Sequence, residues 1–456
     1  MKISHHAKVL AASCAAIVLA VSGLSACGNA QDASDSDGSI SYWLWDANQK
    51  PSYEKCAAAF EHQHPDLRVT ITQYGWDDYW SNITNAFVAG TAPDVFTNHL
   101  ARYPEFIEQE QLVQLDEHMT IRSDDFQEGL ADLWIGPDGH NYGMPKDFDT
   151  TGVFYNVDKL EEAGITREQV QNLTWNPDDG GDLEQVAARL SVDKNGRHGD
   201  EPGFDKNNVS VYGLALGFGS GNAVGQTQYA ALAGSLGWRN TDVNPWGNRY
   251  NFDEERFQST IAWERKMIEK GYLPTIEGTK GQSTADVFAA KKIAMVTEGS
   301  WLTNQFFGYD GINVGLAPNP IGPEGKRSSM YNGLGDSIWS GSKNIANAVA
   351  WVEFLGSEEC QTLVGEDAVV FPASPAGTEK AIESWKAKGI DVSPFTMHID
   401  DGTAFLYPIT NDISKIDAIM ASALDAVLMG KQKVSSLNAA NDEINAILAE
   451  SASRKS

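Results

Sequence analysis

Positive charge is scarce in this 456-residue chain: 34 Lys and Arg stand against 62 Asp and Glu, a formal net charge of −28 at pH 7. Such an acidic surface repels nucleic acid and anionic lipid headgroups, so functions that begin by neutralising phosphate are excluded. Cysteine is scarcer still, with four residues. Neither Cys56 nor Cys360 sits in a histidine-containing nucleophile motif. The two can be bridged or can be buried free thiols, because sequence does not give their separation. Also missing are the zinc-protease HExxH, the phosphate-cradling GxxxxGK[ST] and the nucleophile-elbow GxSxG. Beyond residue 26 no uninterrupted apolar run approaches about 18 residues, so no later segment is expected to span a membrane. What is present, 42% hydrophobic and 21% charged residues, is the composition of a globular protein.

The N-terminus has its own logic. Lys2 and Lys8 form a short basic head, followed by VLAASCAAIVLAVSG, an apolar run sized for a secretory signal. Leu24, Ser25, Ala26 and Cys27 then resemble the lipobox of bacterial lipoproteins, which implies cleavage after residue 26 and a lipid on the Cys27 thiol. Residues 27–38 are small and acidic, with almost nothing to bury, and read as a tether.

The 430 residues after the signal suffice for two lobes. SISYWLW (39–45), RVTITQY (68–74) and DVFTN (94–98) have strand character, and helical patterns fill the intervals at 51–64 and 77–90. Alternating strands and helices predict a parallel sheet with crossover helices. Near the C-terminus, Ile413, Ile416, Met420, Leu424 and Val427 form one helical stripe closed by Gly430.

Open parallel sheets bind ligands beyond the carboxyl ends of their strands. The residues at that station are Trp45, Asp46 and Asn48 after the first strand, Trp76, Asp77 and Asp78 after the second, and Asn98 and His99 after the third. Rings beside carboxylates and amides match a sugar, which has an apolar C–H face and an equator of hydroxyls.

Four motifs carry a broader resemblance: GTAPDVFTNH, YGMPKDFDTTGVFYNVDKLEEAG, KKIAMVTEGSWLTNQF, and NGLGDSIWSGSKN followed by AVAWVEFLGSEECQTLVGE. In this order they resemble the extracellular solute-binding lipoproteins of carbohydrate ABC importers, the group that includes maltose-binding protein. The resemblance implies an α/β, two-lobe periplasmic-binding-protein-like fold with a hinge and an interlobe cleft. The N-terminal lobe would run over 39–148, completed by about 332–358, and the C-terminal lobe over 149–331, completed by about 359–456. It further implies an oligosaccharide ligand, closure around it, delivery to permease subunits, no catalysis and no cofactor.

The resemblance also marks residues. Asp149 precedes Tyr155 by six positions at the first inter-lobe crossing, and strand alternation puts Asp147 on its face, with Lys146 and Phe148 opposite. Trp301 in TEGSW matches a stacking tryptophan, with Gly299 in the turn before it. At the second crossing lie Asn332, Gly333 and Asp336, where the glycine reads equally as a hinge residue. In LGFGSGNAVGQTQY, Asn222 or Gln226 reaches a hydroxyl, or the segment is only a connector. Two departures argue against maltose itself: TNH replaces an aromatic and acidic set at the third strand, and Asp417 falls where a tryptophan stacks.

Two alternatives stand beside this reading. SVDKNGRHGDEPGFDKNN (191–208) is rich in calcium-type oxygen donors but misses the EF-hand spacing, having Arg197 at the fifth position and His198 at the sixth, so a plain polar loop is expected. A lipid-anchored glycoside hydrolase would also line a sugar cleft with carboxylates.

Overall fold

The computed structural model describes residues 38–217 and 224–454; the signal, Cys27, nearly all of the tether and Asn222 lie outside them. Among the described residues twelve strands form two sheets. In chain order they are β1 (Ser39–Leu44), β2 (Arg68–Gln73), β3 (Val95–His99), β4 (Met144–Asp149), β5 (Thr151–Asn156), β6 (Val192–Asp193), β7 (Val209–Leu216), β8 (Ile293–Gly299), β9 (Val314–Ala317), β10 (Ser329–Ile338), β11 (Phe371–Pro372) and β12 (Ala404–Leu406).

The first sheet has the order β11-β4-β10-β3-β1-β2, with β12 pairing β10 off this path. β1 lies parallel to both β2 and β3, as the strand–helix alternation predicts. The crossover helices are α1 (Lys50–Gln63) and α2 (Trp76–Ala89). α1 starts with Pro51 in its first turn, where the missing N–H costs nothing, and buries Tyr53, Cys56, Ala57 and Phe60. α2 carries Asp77 and Asp78 in its first turn against the helix dipole and ends at Gly90, whose φ of 67° suits a left-handed cap.

The second sheet, β6-β7-β8-β5-β9, is built from residues 192–193, 209–216, 293–299, 151–156 and 314–317. Only Thr150 separates β4 in one sheet from β5 in the other, so the first crossing falls at Asp149–Thr151. β10 is the second crossing. Its start receives the Thr151 N–H on the Ser329 hydroxyl at 2.9 Å, while its remainder pairs β4 and β3 antiparallel. The helix Ile413–Leu428 buries the five residues of its expected stripe, at roughly 1.5–3 kcal/mol each.

The return of the chain to the first sheet goes further than expected. The resemblance places the span from about 359 in the C-terminal lobe, but β11 pairs β4, with Phe371 opposite Phe148. Cys360, on the helix Glu358–Asp367, is bridged to Cys56 of α1, with Cα atoms 5.2 Å apart. Pairing across more than 300 residues leaves no local periodicity to read.

Among the described residues no helix is long and apolar enough to cross a membrane. Nor does any group of three His, Cys, Asp or Glu side chains stand ready for a metal ion there. In the 191–208 loop the Asp193 carboxylate instead accepts the backbone N–H groups of Asn195, Arg197 and Asp205, at 2.7, 3.0 and 2.9 Å.

Candidate ligand-binding site

The carboxyl ends of β1 and β3, the end of β4 and the turn after β8 converge on a cavity of about 320 Å³. One wall is aromatic. Trp45 follows β1 and makes edge or tilted contacts with Trp76, Tyr79 and Trp80, at centroid distances of 5.1, 5.2 and 5.3 Å. Trp76 is 42% exposed, unusual for so large a ring. His99 packs edge-on against Trp76 at 5.6 Å and against Tyr407 at 5.2 Å. Trp301 closes the opposite side, its ring so tight over Gly299 that a Cβ there would lie 1.9 Å from a ring carbon. A side chain at 299 would displace the ring.

Carboxylates face these rings. Asp46 is held by the backbone N–H of Asn48 at 2.8 Å and the Gln49 amide at 3.2 Å, and burial raises its pKa. Asp147 and Asp149, two apart on β4, both border the cavity. Asp147 accepts the Leu334 N–H on Oδ1 at 3.3 Å, and its buried Oδ2 has no partner. Burial pushes its carboxyl up to about 7, against the pull of the Lys146 cation. Asp149 accepts from the Gln226 amide and, at 3.4 Å, from the Asn332 amide. Burial and then the neighbouring Asp147 charge raise it well above the usual carboxylate range. His99 goes the other way: burial, then the Arg102 charge, lower it to about 3. Its ring is therefore neutral. Nδ1 accepts the Ala101 N–H at 3.0 Å, leaving Nε2 to face the Asn332 amide at 3.1 Å.

Of the residues expected from sequence, Trp45, Asp46, His99, Asp147, Asp149, Trp301 and Asn332 line this one cavity, as does Gln226. Others do not. Asn48 is exposed and serves Asp46 through its backbone, and Asp78 is exposed outside the lining. Asn98 is fully buried with its amide on the Ser337 hydroxyl at 3.1 Å; adjacent strand residues face opposite ways, so it and His99 never share the cleft. Gly333 sits against Leu130 and the Asp147 carbonyl, where a Cβ would come within 2.9 Å of Leu130. Asp336 lies deeper along β10, accepting from the Tyr42 hydroxyl at 2.8 Å and the Thr97 hydroxyl at 3.1 Å. Lys146, opposite Asp147 as alternation predicts, also points there, 3.7 Å from Asp336 and 3.1 Å from the Tyr53 ring centroid.

Sequence reasoning missed Gln49, Ala101, Arg102, Leu334, Val370 and Tyr407, which also line the cavity, and Phe148 borders it too although alternation places it opposite Asp149. Arg102 was findable, three residues past His99 at the same strand end. Tyr407 and Val370 arrive from distant segments with no motif around them.

Residues 46–362 match the family described as bacterial extracellular solute-binding protein. The chain belongs to that family. Among relatives of these solute-binding proteins, a putative binding protein of Brucella abortus is 22% identical over 418 residues, 90% of this chain and 93% of the relative. A galactooligosaccharide-binding protein of Bacillus subtilis is 24% identical, covering 92% and 91%. Of solved structures, an ABC substrate-binding protein from Listeria monocytogenes in complex with cycloalternan superposes with a TM-score of 0.76 at 18% identity, over 90% of this chain and 99% of that one. A solute-binding protein holds its ligand and releases it unchanged, so this chain is not an enzyme and the hydrolase alternative falls.

Proposed function

We propose that this protein captures a neutral oligosaccharide in the cavity between its two sheets and delivers it to ABC permease subunits. One observation carries the reading. Trp45, Trp76 and Trp301 line a single space together with Asp46, Asp147 and Asp149, so apolar ring faces and hydrogen-bond acceptors border the same cavity. A sugar ring offers the matching faces. Four carboxylates border the cavity, counting Asp417, against the lone cation Arg102 among the described lining residues. As pH rises past about 7 and Asp147 ionises, that balance disfavours anionic sugars. The galactooligosaccharide-binding and cycloalternan-bound relatives support an oligosaccharide. The unpartnered Oδ2 of Asp147 is an acceptor for a ligand hydroxyl.

Thermal melting against a panel of malto-, galacto-, arabino- and manno-oligosaccharides tests the proposal, because a ligand of the folded state raises the midpoint. No shift with any member, and no heat of binding, would refute it. The lipobox-like LSAC tetrad and acidic tether further support anchoring through a lipid on Cys27. Cys27→Ala is expected to release the protein from membranes; a variant that still sediments with them after a salt wash would remove the anchor from the account.

A further inference from the structure

A second cavity has a volume of about 720 Å³, and its lining places it next to the cleft along the chain. Three stretches of chain contribute neighbouring residues to both spaces. Trp76 borders the cleft and Asp77 the cavity; Gln226 and Gln228 divide likewise. On the helix Ile413–Leu428, Asp417 borders the cleft, and Ala421, Leu424 and Leu428 continue the same face into the cavity. Four helical residues advance only about 6 Å. Tyr229, in the cavity wall, lies within electrostatic reach of both Asp417 and Glu264.

The two spaces differ in chemistry. The cavity has an aliphatic stretch of wall, Leu216, Ile268, Leu273, Leu424 and Met429 among it, and lacks the cleft's tryptophans, while half-buried Gln228 and Thr279 and exposed Asp77 and Ser283 add polar groups. Lys280, Gln282 and Asp425 also border it but are exposed. Set in the apolar wall is Glu264, 6% exposed, whose buried Oε2 has no hydrogen-bond partner. A polar atom buried without a partner costs stability unless something arrives to satisfy it. Burial raises this carboxyl to about 7, so near neutrality much of it carries a proton to donate. A bare sugar over the aliphatic stretch would set its hydroxyls against hydrocarbon, and a plain hydrocarbon would leave Glu264 unmet.

Resting on the cleft reading above, we infer that the ligand is a glycoconjugate: its glycan occupies the cleft, an apolar aglycone (alkyl, acyl or aryl) fills the second cavity, and Glu264 donates to an oxygen of the linkage. Calorimetry tests this with each sugar of the panel beside its hexyl glycoside. The hexyl glycoside should bind at least about tenfold tighter than the free sugar, since burying the chain is favourable once the glycan is seated. Ala421→Trp, which fills the cavity from a half-buried position, should erase that gain and leave the free sugar within about twofold. Ile276→Asp, on another wall, serves as the second variant should the first melt early. Sugars that bind with no gain from the hexyl group, or a gain that persists in both folded variants, would overturn the inference and leave the cleft reading intact. Failure of every sugar and every glycoside to bind would overturn both.

Discussion

Trp301 and Asp336 show how unlike two expected ligand contacts can be. Trp301 is half-buried over Gly299 at the cavity wall. Trp301→Ala should cost about 2–4 kcal/mol of sugar binding, the range of an aromatic anchor in a desolvated pocket. Were the ring core material instead, stability would fall by roughly 3–5 kcal/mol; calorimetry beside melting separates the outcomes. Asp336 is 1% exposed and shares its site with Tyr42, Thr97 and Lys146. Asp336→Ala leaves the Lys146 charge buried without its counter-ion, so denaturant unfolding should register a loss of about 3–5 kcal/mol. Affinity, measured where the variant is folded, should hardly change. Asp147 adds a pH signature. Its folded value near 7 exceeds the unfolded carboxylate value of about 3.9. The folded state therefore binds more protons between these values, and this residue's contribution to stability declines as pH rises through that window. Sugar hydroxyls donating to the ionised carboxylate reverse the preference. Binding should release protons at pH 6 and tighten by pH 8, read by calorimetry in buffers of different ionisation enthalpy. Asp147→Asn should abolish its share of the proton release.

Between elements, legibility followed sequence distance. The run β1-α1-β2-α2-β3 was readable because each piece buries one face at its own period, and the helix Ile413–Leu428 for the same reason. On β3 every residue is buried, so periodicity did not say which of Asn98 and His99 turns to the cleft. The pairing of β11 with β4 and the arrival of Tyr407 beside His99 join segments hundreds of residues apart, and only the fold reveals them. The Cys56–Cys360 bridge belongs to this scale, tying α1 to the helix Glu358–Asp367. Reduction should lower stability by about 2–5 kcal/mol and leave affinity intact in the folded protein, since neither cysteine lines the cavity. Melting curves with and without dithiothreitol check both halves of the expectation.

At the scale of the molecule, both crossings border the cavity: Asp149 ends β4 with only Thr150 between it and β5, and Asn332 pairs with Asp149 from β10. Hydrogen-bonding side chains of the cavity thus sit on the segments about which the lobes would turn. A sugar bound by both walls favours a closed form in proportion to its extra contacts there. X-ray scattering should give a smaller radius of gyration with sugar than without; an unchanged radius with every bound sugar would argue for a rigid cleft.

The order of strands has a consequence for how the chain is assembled. Every strand of the second sheet is encoded between residues 151 and 317, whereas β3 and β4 meet only through β10, at 329–338. A chain emerging N-terminus first from a secretion channel has therefore delivered the whole second sheet while β3 and β4 still present unpaired backbone edges. Such edges are templates for pairing with a foreign strand. During export the vulnerable interval ends for β3 with the emergence of β10 and for the far edge of β4 only with β11, long after the first lobe's own leading strands have reached the outside.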